Sequence, residues 1–180
     1  MAYLNANSGF PPLPNTTSLQ VTAEERSSAI DFVNRINTLF EEFDQDMISS
    51  TFLPDASLRH AYGTFRGRAE LEGFTRKIYL PLIPGVSRHA TNHIVDRDEE
   101  TGAVVVRYHN LLVRHIWAED AGKVTTKGAI MVTDDLPRIW FWLTTLDRLK
   151  MTDEGWRVQE RIIGATVINK DLDSKSGPKA

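Results

Sequence analysis

Five histidines carry most of the chemistry this chain offers: His60, His89, His93, His109 and His115, all in one central segment. An imidazole changes charge near neutral pH, so each can take or give a proton. His115 follows Leu111 and Val113 at strand spacing, which sets its ring beside apolar side chains. His89 and His93 are four positions apart on an expected strand, roughly 13 Å, too far to share a small site. By the same rise His109 stands about 20 Å from His115. A His-x-x-x-His pair holds a metal from a helix and not from a strand, so no metal is expected. Asp44 ends an apolar helical stripe, where its charge opposes the helix dipole; a carboxylate kept there could orient an imidazole. His60 and Tyr62 share one face of a short strand and could donate to a substrate carbonyl. The chain has no Gly-x-Ser-x-Gly elbow, no phosphate-cradling glycine loop and no cysteine, which leaves out disulfides and thiolate chemistry.

The elements that must position these groups follow from hydrophobic period. Residues 1–20, with Pro11, Pro12 and Pro14 among Asn, Ser and Thr, read as a flexible arm. A capping-box pattern at Thr22 and Glu25 starts a helix with Ala29, Val33, Ile36, Phe40 and Phe43 on one stripe. A shorter helix over 47–53 is expected to stop at Pro54. A short strand over 57–62 and a helix over 68–80 follow, the helix ending at Pro81. Strands are expected over 87–96, 104–117, 139–151 and 156–168, with a further one over 124–133; a hairpin at Asp153-Glu154-Gly155 joins the last two. The 104–117 strand is the central one, rich in Val, Leu, Ile, Tyr and Trp and free of Gly and Pro. Its odd-numbered face, with Leu111, Val113 and His115, is read as the pocket face. Helices segregated from strands imply an α+β fold, a curved mixed or antiparallel sheet with helices over its concave face. One domain, 21–169, lies between the arm and a polar tail, 170–180.

A net charge of −3 without a basic stripe argues against nucleic acid and anionic membrane as partners. No apolar run reaches membrane-spanning length and no signal-peptide pattern opens the chain, so a cytoplasmic protein is expected. Trp140, Phe141, Trp142 and Leu143 are apolar on both faces of their strand, from which a homodimer through the outer face is expected.

The order of elements, the Phe52-x-Pro54-Asp55-Ala56 turn and Gly67-Arg68-x-x-Leu71-x-x-Phe74 resemble the SnoaL-like branch of the nuclear-transport-factor-2-like superfamily. Within it, Tyr108-His109-Asn110-Leu111-x-Val113-x-His115 and Arg88-His89-Ala90 are similar to the two His-bearing strands of scytalone dehydratases. The resemblance covers residues 22–168 and implies an α+β cone enclosing an apolar pocket. It implies cofactor-free dehydration, cyclisation or isomerisation of a hydrophobic oxygenated molecule, such as a polyketide or terpenoid intermediate of secondary metabolism. It places His89 and His115 as the proton-moving pair, with Asp44, or Glu41 in an ungapped alignment, as the supporting carboxylate. His60 or Tyr62 would polarise the carbonyl, and Phe40, Phe43, Leu111, Val113, Leu143 and Thr145 would line the pocket. One tyrosine of that pattern falls on Phe43 or Phe40 and the other near His60. A non-catalytic binder or assembly module on the same cone is the alternative.

Overall fold

The computed structural model describes residues 9–42, 44–117, 119–120 and 135–173. Phe43, the expected strand over 124–133 and most of the tail lie outside the described residues.

Thr22 and Glu25 form the expected capping box: the Thr22 N–H donates to Glu25 Oε2 at 2.9 Å and the Glu25 N–H to Thr22 Oγ1 at 3.1 Å. Helix α1, Ala23–Glu42, then buries Ala29, Val33, Ile36 and Phe40. Helix α2, Gln45–Ser50, starts at Asp44, whose Oδ1 accepts the Met47 N–H at 2.9 Å. Asp44 is thus an exposed N-cap, favourable to the dipole of α2, and does not end α1 as expected.

Strand β1, Phe52–His60, runs through Pro54. The expected helical piece over 47–53 stops earlier, at Ser50, because Thr51 caps α2 on the Ile48 carbonyl and its own carbonyl accepts the Val158 N–H of the sheet. Pro54 lies where the register slips between Phe52 and Ser57, a place where a missing N–H breaks no ladder bond. Strand β2, Gly63–Arg66, closes a hairpin on β1, and helix α3, Gly67–Phe74, runs on into a π turn, Thr75–Tyr79. Four long strands follow: β3, Val86–Arg97; β4, Val104–Arg114; β5, Arg138–Thr152; and β6, Gly155–Ile168. They form one curved, unclosed sheet in the order β2-β1-β6-β5-β4-β3, antiparallel except where β1 runs parallel to β6.

Helix α1 crosses the concave face, its stripe packed with Val104, Val106, Tyr108, Leu149 and Val158. Asn110 Nδ2 donates to Asn37 Oδ1 at 2.6 Å, fixing helix to sheet inside the core. The even-numbered residues of β4 therefore face inward, and the odd-numbered face, expected to line the pocket, is the outer one. On that outer face Val105, Leu146 and Ile162 form a small cluster covered by Phe10, whose ring lies 5.2 Å from the Arg107 guanidinium; Arg107 also donates to the Pro11 carbonyl. Phe10 and Pro11 of the expected flexible arm are thus placed against the sheet.

Candidate functional site

Between the inner face of the sheet, the end of α1 and the α3 π turn lies a cavity of about 320 Å³. Its walls are largely apolar: Phe40, Phe52, Leu58, Leu112, Leu143 and Ile163 are among them. Polar groups enter from three directions. His60 and Tyr62 come from the β1–β2 hairpin, Tyr79 from the π turn, and Arg88, Tyr108, Thr145 and Arg161 from four neighbouring strands. π turns arise from one residue too many in a helix, and here the extra residue carries Tyr79 into the cavity.

The two guanidinium groups differ in their surroundings. Arg161 Nε and Nη2 donate to Asp147 Oδ1 and Oδ2 at 2.7 and 2.8 Å, and the Tyr108 hydroxyl donates to Asp147 Oδ2 at 3.1 Å. Asp147 has no exposed surface, so this bidentate pair is a closed unit. Burial pushes the Tyr108 phenol well above its usual range; the same burial opposes the Arg161 charge, but Asp147 outweighs it and raises Arg161. Arg88 is different. Its guanidinium lies 4.8 Å from the Phe40 ring and 5.1 Å from the Tyr79 ring. Among the described residues no carboxylate pairs with it: Glu41, the nearest in charge, accepts the Arg88 backbone N–H instead. Burial pulls Arg88 below its usual value, yet a guanidinium stays protonated in proteins.

His60 is held neutral. Burial, and secondarily the Arg88 charge, lower its pKa to about 4. Its Nδ1 accepts the Tyr62 backbone N–H at 3.2 Å, which assigns the proton to Nε2. Stacking on Tyr62 and contact with Phe74, each 5.1 Å between centroids, fix the ring. The imidazole is therefore a hydrogen-bond donor that does not take a proton at neutral pH. Two further buried atoms, Asn110 Oδ1 and Thr145 Oγ1, have no partner among the described residues.

Of the residues expected to build the site, Phe40, His60, Tyr62, Leu143 and Thr145 line this cavity. His89, His115 and Asp44 do not, and all three side chains are exposed. His89 and His115 point outward, as do Leu111 and Val113, because the inner face of β4 is the one bearing Tyr108 and Asn110. His89 is partnered by Ser87 Oγ at 2.9 Å from its Nε2. His93 is not on the His89 face: Asn92 adopts φ 56° in a bulge that reverses the alternation, and His93 stacks inward on Tyr108 at 5.6 Å. Arg88, Tyr79, Tyr108 and Arg161 were not anticipated. Asp147 and Arg161 lie among other charged residues, Arg148 and Glu160 beside them, so hydrophobic pattern alone did not mark the buried pair. Among the described residues no group of three or more His, Asp or Glu side chains could hold a metal, and no described helix is long and apolar enough to cross a membrane.

Residues 21–162 match the model of the SnoaL-like domain family. No curated protein matches the chain. Solved structures share its fold at low identity. A protein of unknown function with a cystatin-like fold from Nostoc punctiforme superposes with TM-score 0.62 and 16% identity, over 84% of this chain and 96% of that one. A candidate scytalone dehydratase from Novosphingobium aromaticivorans gives 0.59 and 14%, over 87% and 95%. ActVI-ORFA from Streptomyces coelicolor gives 0.57 and 13%, over 76% and 93%.

Proposed function

The chain belongs to the SnoaL-like family, and from that premise we propose that it is a cofactor-free enzyme, a dehydratase, cyclase or isomerase of a hydrophobic oxygenated small molecule such as a polyketide or terpenoid intermediate. The observation that carries this reading is the convergence of two fixed N–H donors, Arg88 and the neutral His60, on an apolar cavity. Donors held where an oxyanion forms stabilise it strongly in a dry site. A ketone oxygen seated on Arg88 and His60 would make its neighbouring C–H acidic. Loss of that proton to a water in the cavity gives an enolate, which can expel a β-hydroxyl as water once a phenol of Tyr62 or Tyr79 protonates it, attack a second carbonyl whose oxygen then takes a proton, or take a proton back at another carbon. These outcomes are dehydration, cyclisation and isomerisation. The phenols of Tyr62 and Tyr79 stand at the same cavity to relay protons. The protein is proposed to act in the cytoplasm. It is proposed to pair with a second copy through the outer strip that includes Ile139, Val167 and the half-buried Trp142.

The test is turnover of a panel of β-hydroxy ketones and poly-β-ketones. Wild type is expected to convert at least one, and His60→Ala or Arg88→Gln to lose about 100-fold in kcat, the usual effect of one oxyanion donor. No turnover across the panel, or full turnover in both variants, sinks the reading. One observation favours a second reading, a non-catalytic small-molecule binder. Among the described lining residues none is a free carboxylate, and His60 Nδ1 is already occupied, so no strong base faces the cavity.

A further inference from the structure

We propose that the cavity selects a bidentate oxyanion on an apolar body, a carboxylate or the ionised enol of a 1,3-dicarbonyl, with Arg88 as its counter-ion; this names the ligand class of the site in the proposed function and rests on that site.

The argument is one of charge, then of geometry. Two cations border the cavity, and Asp147 compensates only Arg161, through both of its oxygens. Glu41 accepts the Arg88 backbone N–H through Oε1, and its charge supports the guanidinium without forming an ion pair with it. Arg88 therefore brings a positive charge into a largely apolar enclosure without a described carboxylate on its guanidinium. A buried, unpaired cation is costly, and a ligand anion relieves that cost. Phe40 and Tyr79 pack against the guanidinium, so recognition falls to its N–H edge, which pairs two oxygens side by side. A carboxylate and a delocalised 1,3-dicarbonyl enolate both present such a pair. His60 adds a neutral Nε2–H donor, and its Nδ1 is engaged by the Tyr62 N–H, so it does not draw the proton of the ligand. Such a ligand also answers the absence of a strong base among the described lining residues. An acid that ionises readily against Arg88 can release its proton to water and needs none.

Calorimetric titration of the full chain at pH 7 tests this with two matched pairs. They are 2-naphthoate against neutral 2-naphthamide, and 1-phenyl-1,3-butanedione against 1-phenyl-1-butanone. The anion is expected to bind at least about tenfold tighter than its neutral partner, a modest return for one charge-assisted bidentate pair. Bound diketone is expected to show its enolate absorbance at a lower pH than free diketone. Arg88→Gln is expected to erase the preference. Arg88→Lys, which keeps charge and most of the packing, is expected to keep part of it and controls for misfolding. A preference for naphthoate without an enolate shift supports the proposal and assigns the ligand to the carboxylates. Equal affinity within both pairs, or a preference that survives Arg88→Gln, overturns it. Selective anion binding without turnover of any β-hydroxy ketone or poly-β-ketone of the panel would refute the enzyme and leave this inference standing. Turnover of a neutral ketone without anion selectivity would do the reverse.

Discussion

The Tyr108 hydroxyl and the Asp147 carboxylate, on adjacent strands, meet at 3.1 Å over the same oxygen that Arg161 Nη2 holds at 2.8 Å. A phenol and a guanidinium thus share one buried acceptor beside the cavity. Removing the acceptor strands both donors. Asp147→Asn is expected to cost about 3–5 kcal/mol in urea unfolding, the usual penalty for breaking a buried pair. Replacing both charges, Asp147→Leu with Arg161→Met, is expected to cost less than the single change, since no lone charge remains buried. A double variant less stable than Asp147→Asn would contradict this account.

His60 makes stability depend on pH. Its folded pKa, about 4, lies below the ordinary histidine value of about 6.5. The unfolded chain therefore binds the proton first, and the contribution of His60 is full above about pH 6.5 and lost as pH falls towards 4. The loss is on the order of a few kcal/mol. His60→Phe keeps the stacked ring and removes the titration. Urea midpoints at pH 7 and 4.5 are expected to fall further in wild type than in this variant; equal falls would refute the assignment.

His89→Ala and His115→Ala are exposed, outward changes and are expected to leave ligand affinity and any turnover at the wild-type level, with stability within about 0.5 kcal/mol. A large loss of turnover in either would return the proton-transfer role to the outer face.

Asp44→Ala separates a cap from a catalytic carboxylate. Loss of the bond from the Met47 N–H is expected to cost about 1 kcal/mol of stability, with turnover unchanged. A fall in turnover at unchanged stability would show the opposite.

Gly85→Ala tests the joint between the π-turn loop and β3. Gly85 has φ 76°, and an added Cβ would lie 2.2 Å from Ile116 Cγ2 and 2.3 Å from the Ile116 carbonyl oxygen. The Gly85 carbonyl also accepts the His115 N–H at 2.9 Å, so the backbones cannot easily part. A loss of about 3 kcal/mol or more is expected by thermal unfolding, strain and clash adding together. An unchanged Tm would mean that this contact gives way.

Much of the fold was legible because it rests on local period and punctuation. The Thr22–Glu25 box, the α1 stripe and the Gly155 hairpin each appear where local pattern places them. The site was less legible because faces are decided by irregularities. The choice of face on β4 depends on which side α1 covers, a long-range fact that alternation alone does not contain. At Asn92 a bulge turns His93 inward and leaves His89 outside. On the last hairpin, continuing the Leu149–Val158 register would set Asp147 opposite Glu160. The slip between Arg148 and Leu149 sets it opposite Arg161 instead, and so creates the buried pair. A one-residue shift is invisible to hydrophobic patterning when both neighbours are charged. Arg88 and His89 are adjacent and so face opposite ways, and only the coverage of one face by α1 makes Arg88 the inward one.

The parallel pairing of β1 with β6 has a consequence for how the chain assembles. Among the described strands, β6 alone pairs with both a piece made of β1 and β2 and a piece made of β3, β4 and β5. His60 and Tyr62 belong to the first piece, Arg88 and Tyr108 to the second. β6 follows the other five strands in the chain, so a length of chain that stops before it lacks the strand that pairs β1 with β5. The keystone is thus set after every stone it holds, and the ligand site comes into being in the same closing step as the sheet.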